Sequence, residues 1–131
     1  MIKKASFKDV DQLYDLIQMG VKEGGLLSRS KDEIKRLIDN FFVYKINGRI
    51  VGCAGIDTYT LKIAELRSLY VAKESRRKGI ASKLIKRCLQ EAKLKGIREV
   101  ITLSDKEEVF RSCGFSDQIG KQKALFLRMK N

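Results

Sequence analysis

Residues 76 to 82 read Arg76-Arg77-Lys78-Gly79-Ile80-Ala81-Ser82, three cations and a glycine followed by small residues, shortly after the apolar run Leu69-Tyr70-Val71. Where such a turn opens a helix, the first backbone N–H groups lack internal partners and carry the positive end of the helix dipole, so the arrangement suits a phosphate or diphosphate. Gly79 omits the Cβ that would hold an anion off the backbone, Ala81 is small for the same reason, and Arg76, Arg77 and Lys78 add full charges. Taken alone, the segment also reads as a solvated basic loop. It is neither a GxxxxGK Walker loop nor a GxGxxG turn, which disfavours nucleotide hydrolysis and dinucleotide binding. Just upstream, strand alternation puts Glu65, Arg67 and Leu69 on one face and Leu66, Ser68 and Tyr70 on the other. A carboxylate and a guanidinium so placed fit a proton acceptor beside an anchor for an anionic group, or equally a surface ion pair worth under about 1 kcal/mol.

Other chemistries are excluded by what is absent. The sequence has no histidine, which removes a Ser-His-Asp triad, a Cys-His pair and His-ligated zinc. Cys53, Cys88 and Cys113 are far apart, odd in number and without CxxC spacing, so they fit neither a disulfide framework nor a thiolate metal site, and no metal is expected. The net charge of +12 is uneven: residues 1 to 66 carry 11 basic and 9 acidic groups, and residues 67 to 131 carry 17 and 7. The second half is therefore expected to meet an anion, whether nucleic acid, an acidic membrane or a phosphorylated small molecule.

The elements that must position these residues follow from periodicity. The 131 residues are expected to form one domain spanning 1–131, without repeats or a linker. Residues 1 to 5 read as a strand, and Ser6 caps a helix with Val10, Leu13, Tyr14 and Ile17 in phase that ends at Gly20. After a loop, Ser30 and Glu33 make a capping box for a second helix running to about Asn40. Phe41 to Ile46, the Asn47-Gly48 pair and Arg49 to Asp57 make a hairpin with a type I′ turn, and Ala64 to Val71 adds a third strand. A helix from Ile80 to Lys95 stopped by Gly96, a strand from Val100 to Leu103, a helix from Lys106 to Cys113, and a closing strand pair, Phe115 to Ile119 with Ala124 to Met129, complete a mixed α/β chain.

Arg76-Arg77-Lys78-Gly79-Ile80-Ala81 resembles the acyl-CoA-binding signature of the GNAT N-acetyltransferase superfamily, and its context matches: a strand ending Leu-Tyr-Val before it, an amphipathic helix after it, and Gly114-Phe115 after a short helix. The resemblance implies a mostly antiparallel splayed sheet flanked by about four helices, and acetyl-CoA as co-substrate. Backbone groups of the Leu69-Tyr70-Val71 strand would bond the pantetheine arm, with the contacts on Leu69 and Val71. The N–H groups from Arg77 to Ser82, through Lys78, Gly79, Ile80 and Ala81, would hold the diphosphate. Over nearly the whole chain the sequence is similar to the acetyltransferase domain of bacterial N-acetylglutamate synthases. The similar segments are Glu23 to Ser30, Phe41 to Val43 through Val51 to Ala54, and Ala64 to Val71.

That narrower resemblance implies acetylation of the α-amine of L-glutamate, the entry to arginine biosynthesis. Leu27 and Arg29 would line the amino-acid pocket, Arg29 and Arg67 would clamp the carboxylates, and Glu65 would act as base through a water. Lys121, Lys123 or Arg128 could replace one clamp. The family's usual tyrosine acid is replaced by Phe110, which leaves the acid to Ser104, Tyr59 or water. A polyamine acceptor would require an acidic pocket, and the sequence shows no cluster of Asp and Glu near these strands. The alternative acceptors are another amino acid, a small amine or a protein N-terminus. No nucleic-acid partner is expected, since aromatic residues are not interleaved with the basic run from Lys73 to Arg98. Without an apolar run or signal-type segment, no membrane partner is expected and the cytoplasm is the expected location. The chain leaves no room for the arginine-sensing kinase-like domain of longer synthases, so feedback by that route is not expected; monomer and homodimer both stay open.

Overall fold

The computed structural model describes residues 1–130. Five strands, β1 (Ile2–Lys4), β2 (Phe41–Ile46), β3 (Arg49–Thr58), β4 (Ile63–Val71) and β5 (Glu99–Thr102), form one sheet in that order. Every pair is antiparallel except β4 with β5, which is parallel because a helix returns the chain between them. Asn47 and Gly48 at φ 52° and 78° close the β2–β3 hairpin as its sequence requires.

Four helices flank this sheet: α1 (Val10–Glu23), α2 (Lys31–Arg36), α3 (Ile80–Leu94) and α4 (Glu107–Ser112). α1 covers one face and α3 the other. A Cβ on Gly20 of α1 would lie 2.9 Å from the Tyr70 ring, and one on Gly52 of β3 would lie 3.0 Å from Leu84 and 3.1 Å from Ile80 of α3. Leu13, Ile17 and Phe41, with Leu84, Ile85 and Cys88 of α3, are among the buried residues of the core, and each large aliphatic buried there contributes about 1.5–3 kcal/mol.

Several expected boundaries move, each for a local reason. α1 does not end at Gly20, because that glycine gives close passage to Tyr70; Gly24, at φ 92°, caps the helix instead. The Ser30–Glu33 box is half formed. The Ser30 hydroxyl accepts the Glu33 N–H at 3.1 Å, but the Glu33 carboxylate turns to Arg29. The closing strand pair shrinks to β6 (Gln118–Ile119) and β7 (Gln122–Lys123), and the apolar residues from 124 to 129 form no strand.

The largest departure lies in β4. Opposite β3, Arg67 pairs with Gly55 and Tyr70 with Cys53, so one extra residue is inserted in β4, and Ser68 sits there at φ 58°. The bulge resets the alternation. Tyr70, not Leu69, shares the face of Glu65 and Arg67, while Leu69 and Val71 turn into a cleft with Ile80 of α3.

Candidate active site

Two half-sites meet along β4. The first is the cleft bounded by Leu69, Val71, the turn from Ser75 to Ser82, and Lys106 and Val109 beyond β5. β4 and β5 pair only from Ile63 with Glu99 to Leu66 with Thr102. The Thr102 hydroxyl then donates to the Leu66 carbonyl at 2.9 Å, and β4 continues without β5 beside it. This is the expected splay, and beyond Leu66 it leaves the β5-side edge of β4 for an extended ligand to pair with, except at the Val71 carbonyl, which Arg76 holds.

The turn has a backbone shape that suits an anion. Arg77 and Gly79 both take left-handed φ, 64° and 76°. The N-terminus of the 15-residue α3 follows at once, with no acidic side chain in its first turn. A Cβ built on Gly79 would touch nothing within 4 Å, so the space it would enter is open to a ligand. Free helical N–H groups, open space at Gly79 and Arg77 on the cleft wall fit a diphosphate, while Lys78 does not line the cleft. Arg76 is engaged elsewhere. Its Nε donates to the Val71 carbonyl at 2.9 Å, its Nη2 binds Glu23 at 2.8 and 3.1 Å, and its guanidinium lies 5.4 Å from the Tyr70 ring centre. Arg76 thereby ties the turn to β4 and α1. The Tyr70 hydroxyl donates to Glu23 at 2.8 Å on the α1 side, and Arg76 and Tyr70 together hold the Glu23 carboxyl below its usual range.

The second half-site is a charge cluster on the opposite side of β4. Asp57 Oδ2 accepts from Arg29 Nη2 at 3.4 Å and from Arg67 Nη1 at 3.2 Å, and Arg67 Nε lies 3.9 Å from Glu65 Oε2. Glu65 is 5% exposed, and its burial pushes the carboxyl up against the lowering effect of Arg67; Asp57 adds to the rise. Arg29 is expected from the sequence to meet a substrate carboxylate, but it is 2% exposed and internally paired. Its Nε donates to the Ser68 hydroxyl at 3.0 Å, Nη1 binds Glu33 at 3.2 Å, and the guanidinium sits 5.5 Å from the Phe41 ring centre. Arg29 therefore clamps the bulge. Arg67, with about a third of its side chain exposed, is the accessible cation.

Sequence reading missed Glu33, Asp57, Ser68, Lys106 and Val109. It also found no acidic cluster, whereas the fold gathers Glu33, Asp57 and Glu65 around Arg29 and Arg67. The signal available was Asp57 near the end of its strand, whose antiparallel partner is Glu65. Leu27 stands 77% exposed in the loop whose Gly25 approaches Lys106. Phe110 is buried edge-on to Phe115 at 5.1 Å and offers no proton. Ser104 receives the Lys106 N–H at 2.9 Å, Tyr59 is exposed on the β3–β4 turn, and Lys121, Lys123 and Arg128 are exposed outside the Asp57 cluster. Burial pushes the Cys53 and Cys88 thiols up to about 12, so neither is a nucleophile.

Comparison with known proteins gives the family and the fold. The model of the Acetyltransferase (GNAT) family matches residues 10–120. An uncharacterized N-acetyltransferase of Chlorobaculum tepidum is 32% identical over 116 residues, covering 88% of this chain and 75% of that protein. An amino-acid acetyltransferase of Pseudomonas fluorescens is 31% identical over 117 residues, 88% of this chain but only 27% of that longer protein. N-acetylglutamate synthase from Neisseria gonorrhoeae, solved with coenzyme A and N-acetyl-glutamate, superposes with a TM-score of 0.83 at 26% identity, over 88% of this chain and 28% of that one. A Mycobacterium tuberculosis protein solved with CoA shares the fold, with a TM-score of 0.84 at 23% identity over 92% and 74% of the two chains.

Proposed function

Because the chain belongs to the acetyltransferase (GNAT) family, we propose that it transfers the acetyl group of acetyl-CoA to the α-amine of an amino acid, with L-glutamate as the acceptor. The observation that carries this reading is the double use of β4. Its Glu65–Arg67 segment faces the charge cluster, and its end from Leu69 to Val71, still paired with β3 but past the reach of β5, lines the cleft that leads to the α3 N-terminus.

The N–H groups from Arg77 to Ser82 would hold the diphosphate, with Leu69 and Val71 pairing the arm along the splay. Acetyl-CoA supplies an acetyl thioester, so a carbon–nitrogen bond to the acceptor forms as the carbon–sulfur bond breaks and the thiolate departs. Glu65, ionised, takes the proton that the attacking amine must lose, directly or through a water. Arg67 holds the acceptor's carboxylate by charge-assisted hydrogen bonds, worth on the order of 1.5–3 kcal/mol. Val71, beyond the reach of β5, offers its backbone N–H to polarise the thioester carbonyl, while its own carbonyl is held by Arg76. The thiolate needs no dedicated acid, consistent with an apolar Phe110.

A second reading has its own support. The cluster holds two guanidiniums and three carboxylates, a balance that favours an acceptor without a second acidic group, such as another amino acid or a small amine. Thiol release from acetyl-CoA across a panel of amino acids and amines separates the two. The glutamate reading expects the highest kcat/KM with glutamate; no turnover of glutamate beside rapid turnover of another amine would overturn it.

A further inference from the structure

Asp57 and Glu65 are direct partners across the antiparallel β3–β4 ladder. Like charges placed opposite each other destabilise a sheet, so the pair persists only because cations sit on it. Those cations are shared unequally. Both Arg29 and Arg67 donate to the single oxygen Oδ2 of Asp57, at 3.4 and 3.2 Å, whereas Arg67 Nε stops 3.9 Å short of Glu65, outside hydrogen-bond range. Arg29 cannot move to relieve this, since Ser68 and Glu33 hold its other nitrogens.

We propose that Asp57 is a positioning residue for the transfer: by drawing both guanidiniums onto one carboxylate oxygen, it keeps Arg67 from closing a full ion pair on Glu65. Glu65 stays available to an incoming ammonium group, and Arg67 keeps an outward edge for the acceptor. The inference rests on the assignment of Glu65 as base. The charged groups facing Glu65 are Arg67 on its own strand, Asp57 on β3, and Arg29 with Glu33 behind it. On β5 its partner is the uncharged Ile101, with Glu99 two residues away on the same face. The direction of the Glu65 shift agrees, since Asp57 raises it and Arg67 and Arg29 lower it.

The test is a carbon-13 NMR titration of the side-chain carboxyls, with Glu65 assigned by the resonance lost in Glu65→Gln. In Asp57→Asn the Glu65 midpoint is expected to fall below that of the unmodified protein, and the acidic limb of kcat/KM to move with it. Asp57→Glu, which keeps the charge, is expected to return the midpoint toward its original place. A midpoint unchanged or raised in a folded Asp57→Asn protein overturns the proposal, and so does a crystal structure of that variant in which Arg67 still stands outside hydrogen-bond range of Glu65, because loss of the neighbouring charge alone would lower the midpoint without bringing Arg67 onto Glu65. If Asp57→Asn does not fold, the same comparison is made in Asp57→Ser, which removes the charge and keeps a hydroxyl able to accept from the guanidiniums. The titration needs no acceptor, so failure of the unmodified protein to acetylate glutamate would strike the acceptor assignment and leave this result standing.

Discussion

Arg29 and Arg67 look alike in the sequence, yet their environments assign them different work, and mutation should separate them. Arg67→Ala is expected to lower kcat/KM for the acceptor by about 10- to 100-fold, chiefly through KM, and, with Arg29 still on Asp57, to lower the melting temperature less than Arg29→Ala does. A loss of less than twofold would remove Arg67 as the anchor. Arg29→Ala should instead destabilise the fold by about 3–5 kcal/mol, since it strips a buried cation from Asp57 and Glu33 and releases the Ser68 bulge; chemical denaturation reads this directly. Glu65→Gln is expected to lower kcat by roughly 10²–10⁴-fold while leaving acetyl-CoA affinity intact by calorimetry. Because burial raises the Glu65 carboxyl, the active ionised form is lost as pH falls, beginning above the ordinary carboxylate range. The residue types of this site were legible from the chain, but their partners were not. Glu33 and Asp57 are separated from Glu65 by whole elements or a strand turn, and only folding places them at one cluster.

At the scale of elements, regular periodicity carried the reading furthest. Asn47-Gly48 specified its hairpin, and the apolar stripe of α3 specified its length to within a residue, because both rest on local geometry. The bulge at Ser68 was not legible. It depends on the Arg29 and Cys53 contacts that hold the Ser68 hydroxyl and carbonyl, at 3.0 and 3.3 Å, and neither partner is a sequence neighbour. The helix end misread at Gly20 has the same cause, a tertiary contact with Tyr70. The cofactor turn gives the sharpest prediction at this scale. Gly79 sits at φ 76° with its Cβ direction open, so Gly79→Ala should cost about 1–2 kcal/mol of backbone strain and also obstruct the anion. Calorimetry with acetyl-CoA should show affinity reduced about tenfold or more; unchanged affinity would place the diphosphate elsewhere.

For the whole molecule, the uneven charge now has a location, since Arg77 and Lys78 flank the α3 N-terminus in the basic half of the chain. Acetyl-CoA at about 100 times its low-salt Kd should add about 2.7 kcal/mol to unfolding stability, and at that same concentration the gain should shrink as ionic strength rises and the Kd with it. The C-terminal stretch marks where sequence patterning ran out. Leu125, Phe126 and Leu127 have strand-forming character, but all three are strongly exposed and join no sheet, because a strand needs a partner edge as well as propensity. Among the described residues, no helix is long and apolar enough to cross a membrane. The central claim joins the two sides of β4, and a crystal structure of the acetyl-CoA complex tests it most directly. Diphosphate oxygens are expected within hydrogen-bond distance of backbone N–H groups between Arg77 and Ser82, with the thioester in the gap beside Leu69 and within one water of Glu65. Phosphates bound away from that turn, or a thioester on a path that never nears Glu65, would contradict it.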